Sequence, residues 1–145
     1  MEISLQVTDI AHGIQLAVAP VFLLTGIGAM LSVLSFRLGR VVDRARQLEE
    51  RIGQADEARR RCIEEELPIL SRRARLINRA ITLCTTCALL VCMVIMILFV
   101  GAFVSADVAY PIALLFIVAM AALILSLLIF LKEIELATAS LRIGR

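Results

Sequence analysis

The chain has 145 residues, 61% of them hydrophobic, a mean hydropathy of +0.94, and 15 basic against 13 acidic side chains. That balance excludes an ordinary water-soluble domain, in which about half the residues are apolar and no apolar run is long enough to cross a bilayer. It also argues against a nucleic-acid surface, because within residues 37–79 the basic residues alternate with acidic ones and no aromatic side chain is interleaved to stack on bases.

Residues 1–13, MEISLQVTDIAHG, with Ile14 directly after them, place Ile3, Val7, Ile10 and Ile14 at helical spacing and predict a short amphipathic helix on the outer membrane surface. The alternation of Ile3, Leu5 and Val7 is the competing strand pattern. The segment has no basic n-region and no A-x-A-like cleavage site, so the first span is expected to stay in the mature protein. Residues 14–36 carry no charge and form the first predicted span, with a kink expected at Pro20. Within it Thr25, Gly28, Ser32 and Ser35 fall on one helical face of small residues, either a helix-packing face or the wall of a polar path.

Residues 37–79 hold twelve arginines and eight acidic residues, a local excess of four positive charges suited to anionic lipid headgroups. Leu38, Val41, Ala45, Leu48 and Ile52 alternate at spacings of three and four, so the helix of span one is predicted to run on, by roughly 16 residues or ~24 Å. Gly53 supplies a turn, and Ile63, Leu67, Leu70, Ala74, Ile77 and Ile81 repeat the spacing on the return. Two facing apolar stripes predict an antiparallel, coiled-coil-like hairpin. Pro68 interrupts the return arm, which predicts either a bend there or a separate short helix over ADEARRRCIEEE.

Residues 80–104 and 111–131 form the second and third predicted spans, joined by an outer loop at 105–110. Pro111 suits the first turn of the third. Residues 132–145 keep helical spacing through Ile134 and Leu141 and predict a cytoplasmic helical tail. The whole reads as one compact membrane domain.

Lys and Arg are absent from residues 1–13 and from the 105–110 loop. The positive-inside rule therefore places residues 37–79 and the C-terminus in the cytoplasm of a bacterial inner membrane, with the N-terminus outside. Asp9, His12 and Gln15 share one face at the outer end of span one, an interfacial cluster or a pore mouth. Arg37, Arg40, Asp43, Arg44 and Arg46 sit just inside the membrane, where they fix topology, contact lipid phosphates, or form an anionic-ligand or intersubunit site with Asp43 orienting the guanidinium groups. Cys84 and Cys87 form C-x-x-C on a membrane helix with no second pair at zinc spacing, and read as packing residues. No metal, cofactor or catalytic set is predicted: the single histidine lies at the outer membrane edge, and Glu64, Glu65 and Glu66 read as solubilising charge.

The strings PVFLLTGIGAMLSVLSFRLGRVVDRARQL, RRARLINRAITL and FLKEIELA resemble a bacterial membrane family known as domain of unknown function 2721, over nearly the full length. The first string carries most of the resemblance, with Pro20, Gly26, Arg37, Arg40, Asp43, Arg44 and Arg46. The resemblance implies a three-span inner-membrane protein and no established activity.

The architecture predicted is all-α, with three transmembrane helices and a cytoplasmic hairpin between the first and second. Three spans seldom enclose a path within one protomer, so a homo-oligomer is expected. Two functions follow. One is a pore lined by span one, towards which the sequence leans, with Arg37 and Arg40 at its inner mouth. The other is a non-conducting scaffold whose hairpin docks a cytoplasmic protein.

Overall fold

The computed structural model describes residues 2–53, 55–104 and 109–142, with side chains described for 11–53, 55–101 and 109–138. Three helices make up almost all of it: α1 (Glu2–Ile52), α2 (Glu57–Val104) and α3 (Ala109–Arg142). By length and composition all three are able to cross a membrane.

The predicted surface helix, the first span and the ascending charged segment form one helix, with Pro20 inside it. α1 gives way at Gly53 to a turn, and Arg60 Nη2 donates to the carbonyl of Ile52 near its end at 3.5 Å. Asp56 stands at the N-cap of α2: its carbonyl accepts the Arg60 amide at 2.8 Å, the first helical bond. Glu57 then places an acid in the first turn, where the helix dipole favours it. From there α2 continues through Pro68 without interruption, so EARRRCIEEE is the opening of α2 and not a helix of its own. Pro111 lies in the first turn of α3, where its missing amide donor leaves no helical bond unmade. Of the predicted outer loop, 105–108 lie outside the described residues.

The chain groups into two compact units, Met1–Met30 with Leu83–Ile124, and Leu31–Thr82 with Leu125–Arg145. In the first unit Ala17, Ile27, Cys84, Cys87, Val91, Val94, Ala119 and Ala122 are buried. The Cys84 thiol lies 4.0 Å from the carbonyl of Ile27 and donates to it, and none of the four cysteines is in a disulfide. In the second unit Leu34, Val41 and Leu48 of α1 are buried with Ile63, Leu70, Ile77 and Ala80 of α2. The Ser126 hydroxyl, fully buried, donates to the carbonyl of Ala80 at 2.8 Å and ties α3 to α2.

Along every helix the buried positions recur at intervals of seven: Ile27, Leu34, Val41 and Leu48 on α1, Ile63, Leu70, Ile77, Cys84 and Val91 on α2, and Ala119, Ser126 and Glu133 on α3. The other stripe positions named from the sequence, Leu38, Ala45 and Ile52 on α1 and Leu67, Ala74 and Ile81 on α2, are half-buried. α3 inverts the rule for soluble proteins, with small and polar residues buried while Leu114, Ile117, Ile124, Leu128 and Leu131 are exposed. A helix whose large apolar side chains point outward, and whose small and polar ones face its neighbours, is built for hydrocarbon surroundings.

Candidate functional site

The second unit holds the most concentrated chemistry among the described residues. Arg37, Arg40 and Arg44 are spaced by three and four, so they share one face of α1 just beyond its apolar run. α2 contributes Arg73, one turn after the buried Leu70. α3 contributes Glu133, the third member of its buried register after Ala119 and Ser126.

Glu133 has no solvent exposure, and both its oxygens are occupied. Arg37 Nη1 donates to Oε2 at 2.7 Å; Arg73 donates to Oε1 from Nη2 at 2.9 Å and from Nε at 3.2 Å. The guanidinium of Arg37 also lies over the ring of Phe130, 5.1 Å from its centroid, which fixes its plane. The two arginines retain 37% and 20% side-chain exposure, so their remaining N–H groups reach solvent while the carboxylate does not. One carboxylate thus joins all three helices through charge-assisted bonds.

Beside this triad lies a cavity of about 440 Å³ lined by Arg37, Arg40, Arg44, Arg73, Glu133, Val41, Leu70 and Ala137. Arg44 grips Glu66 across α1 and α2, with Nε to Oε1 at 3.2 Å and Nη2 to Oε2 at 3.5 Å; both side chains are well exposed. Arg40 is exposed and makes no ion pair among the described residues.

The structure therefore brings together Arg37, Arg40 and Arg44 of the residues singled out from the sequence. Arg46 is exposed and faces a different groove, with Val42 and Ala45. Asp43 is exposed and forms no ion pair among the described residues; the acids that orient the guanidinium groups are Glu133 and Glu66. Thr25 and Gly28 in the first unit, and Ser32 and Ser35 in the second, are each exposed within the single chain. Thr25 Oγ1 bonds back to the carbonyl of Val21 at 3.4 Å. His12 and Gln15 are exposed, and the side chain of Asp9 lies outside the described residues.

Glu133 and Arg73 are the functional-site residues that sequence reasoning missed. The signal available was the register Ala119–Ser126–Glu133, which a search for large apolar side chains passes over.

A family model described as "Protein of unknown function (DUF2721)" matches residues 17–143. The chain belongs to this family. The matched DUF2721 region contains Arg37, Arg40, Arg44, Arg73 and Glu133 and begins after Asp9, His12 and Gln15. It is a family of unknown function with three candidate membrane helices in this member, in agreement with the resemblance read from the sequence. No curated protein and no solved structure matches the chain.

Proposed function

We propose that the chain is a non-conducting multi-pass protein of the bacterial inner membrane whose residues 37–79 dock a cytoplasmic partner. Its N-terminus lies outside and its C-terminus inside, because every Lys and Arg then falls on the cytoplasmic side. Within residues 37–79, α1 and α2 form an antiparallel hairpin. The seven-residue recurrence of Val41 with Leu48, and of Ile63 with Leu70 and Ile77, supports coiled-coil-like packing there.

One observation carries the docking reading. A groove of about 560 Å³ opens along this charge-rich segment, lined by Val41, Val42, Ala45, Leu67, Pro68 and Ala74 among others. Nearby apolar side chains stay open to water in the single chain, Val42 at 43% and Ile69 at 47%. A soluble amphipathic helix presenting an apolar edge and complementary charge to Arg46, Glu49 and Glu64 fits such a groove. A photo-crosslinking residue at Val42, placed in the full chain in cells, is expected to trap one soluble protein, and Ala45→Arg, which fills the groove, is expected to abolish the adduct. Adducts unchanged by Ala45→Arg would remove the groove from the docking role.

The pore remains a second reading, favoured by the exposure of Thr25, Gly28, Ser32 and Ser35 on α1. In a homo-oligomer these small residues would permit close helix approach and line a path. Two observations rank it second. Phe22 and Phe36, exposed at 74% and 76%, lie on the same helix, and the Arg37 guanidinium is held against Glu133 of α3. Ion flux through purified protein in liposomes, abolished by Ser32→Leu, would reverse that order.

A further inference from the structure

We propose that the arginine cavity of the second unit is a binding site for a phosphate group. This inference does not depend on the docking groove, which has a different lining apart from Val41 and Leu70.

Charge is the first argument. Four guanidinium groups line the cavity, and among the described residues the carboxylates paired with them are Glu133 and Glu66. Two positive charges are left over, which matches a phosphate dianion. Pre-organisation is the second. Glu133 and the ring of Phe130 hold Arg37, and Glu133 holds Arg73. Their unused N–H groups are thus positioned without a further loss of side-chain freedom on binding. Arg40 completes the set, a cavity-lining guanidinium with no carboxylate partner among the described residues. Planar forks converging on one space suit the tetrahedral oxygens of phosphate, each of which accepts several charge-assisted bonds. The volume, about 440 Å³, lies within the range of ligand pockets, about 300–1,000 Å³.

The phosphate has two available sources, a small soluble phosphate compound or the headgroup of an anionic lipid, since the site lies just beyond the apolar run of α1. The bonding chemistry is the same for both. Full-length protein in neutral detergent would be titrated with inorganic phosphate by calorimetry, with chloride at matched ionic strength as the charge control. In parallel, native mass spectrometry would count phosphatidic acid and phosphatidylglycerol retained per protomer, against phosphatidylcholine. The expected result is saturable binding of one phosphate group per protomer in at least one arm. Saturation by inorganic phosphate assigns the soluble source, and retention of anionic lipid alone assigns the headgroup.

Arg40→Gln is expected to weaken binding roughly tenfold or more, because it removes one charged donor set. It touches no ion pair among the described residues, so the fold is retained. Arg75→Gln, an exposed arginine outside the cavity, is expected to leave binding unchanged. Equal losses in Arg40→Gln and Arg75→Gln would reduce the effect to diffuse surface charge and overturn the site. Failure of both arms to saturate would overturn it as well.

Discussion

Glu133 stands where a leucine would be unremarkable. Its position is the buried register of α3, and a carboxylate there is tolerable only because two guanidinium groups satisfy both its oxygens. Glu133→Ala leaves Arg37 and Arg73 facing each other with no counter-charge, and is expected to destabilise the protein by about 3 kcal/mol. That is the lower part of the range for a broken buried pair, because both arginines keep contact with solvent. Replacing all three residues with apolar side chains of similar volume should recover most of that loss, since no charge is then buried alone. Thermal unfolding in detergent, followed by circular dichroism, checks both. A Glu133→Ala protein as stable as the parent would mean that the carboxylate is not holding the helices. The contrast is Arg44 with Glu66. This pair is exposed on both sides, so Glu66→Ala is expected to cost less than about 1 kcal/mol in the same measurement.

At the scale of the elements, the joints between helices are narrow and polar. The Ser126 hydroxyl is fully buried against the Ala80 carbonyl, so Ser126→Ala should cost about 1 kcal/mol, within the range for interhelical hydrogen bonds in membranes. Ser126→Leu should cost more, because the added bulk has to part α3 from α2 in the second unit. α2 offers the opposite case. Pro68 sits inside a helix that continues on both sides of it, and proline is about 3 kcal/mol less favourable than alanine in such a position. Pro68→Ala is therefore expected to raise the unfolding midpoint, and a fall would mean that the local geometry imposed by proline is required. The helices themselves were legible from sequence: the uncharged runs marked the candidate spans, and the spacing of Leu38, Val41, Ala45 and Leu48 showed that α1 would continue past its span. Half of the candidate site was legible in the same way, because Arg37, Arg40 and Arg44 are neighbours on one helix. The other half was not. Arg37 and Glu133 are separated by 96 residues, and no local spacing specifies a partner so far along the chain. Asp43, within reach by sequence, looked the natural acid for the cluster, yet the arginines turn to acids on α2 and α3.

For the molecule as a whole, the asymmetry of its charges carries more weight than its total. A net charge of +2 would suggest a nearly neutral chain, but twelve of the fifteen basic residues fall within residues 37–79. If the positive-inside rule governs insertion, that segment faces the cytoplasm, and both the docking groove and the arginine cavity open to cytoplasmic ligands. The chain carries its own reporter of this topology. Cys62 is exposed within residues 37–79, whereas Cys84 and Cys87 are buried and Cys92 is exposed on the apolar stretch of α2, where a water-borne reagent does not reach a lipid-facing thiol. A membrane-impermeant maleimide is therefore expected to label the protein in inverted inner-membrane vesicles and to leave it unlabelled in intact spheroplasts until they are permeabilised. Cys62→Ala should abolish the signal in the vesicles and in the permeabilised spheroplasts, which assigns it to that thiol. Labelling of intact spheroplasts, lost in Cys62→Ala, would put residues 37–79 outside and turn both sites towards periplasmic ligands. It would also mean that twelve arginines had crossed the bilayer against the bias that orients short charged segments, so the experiment tests the physical rule together with the topology built on it.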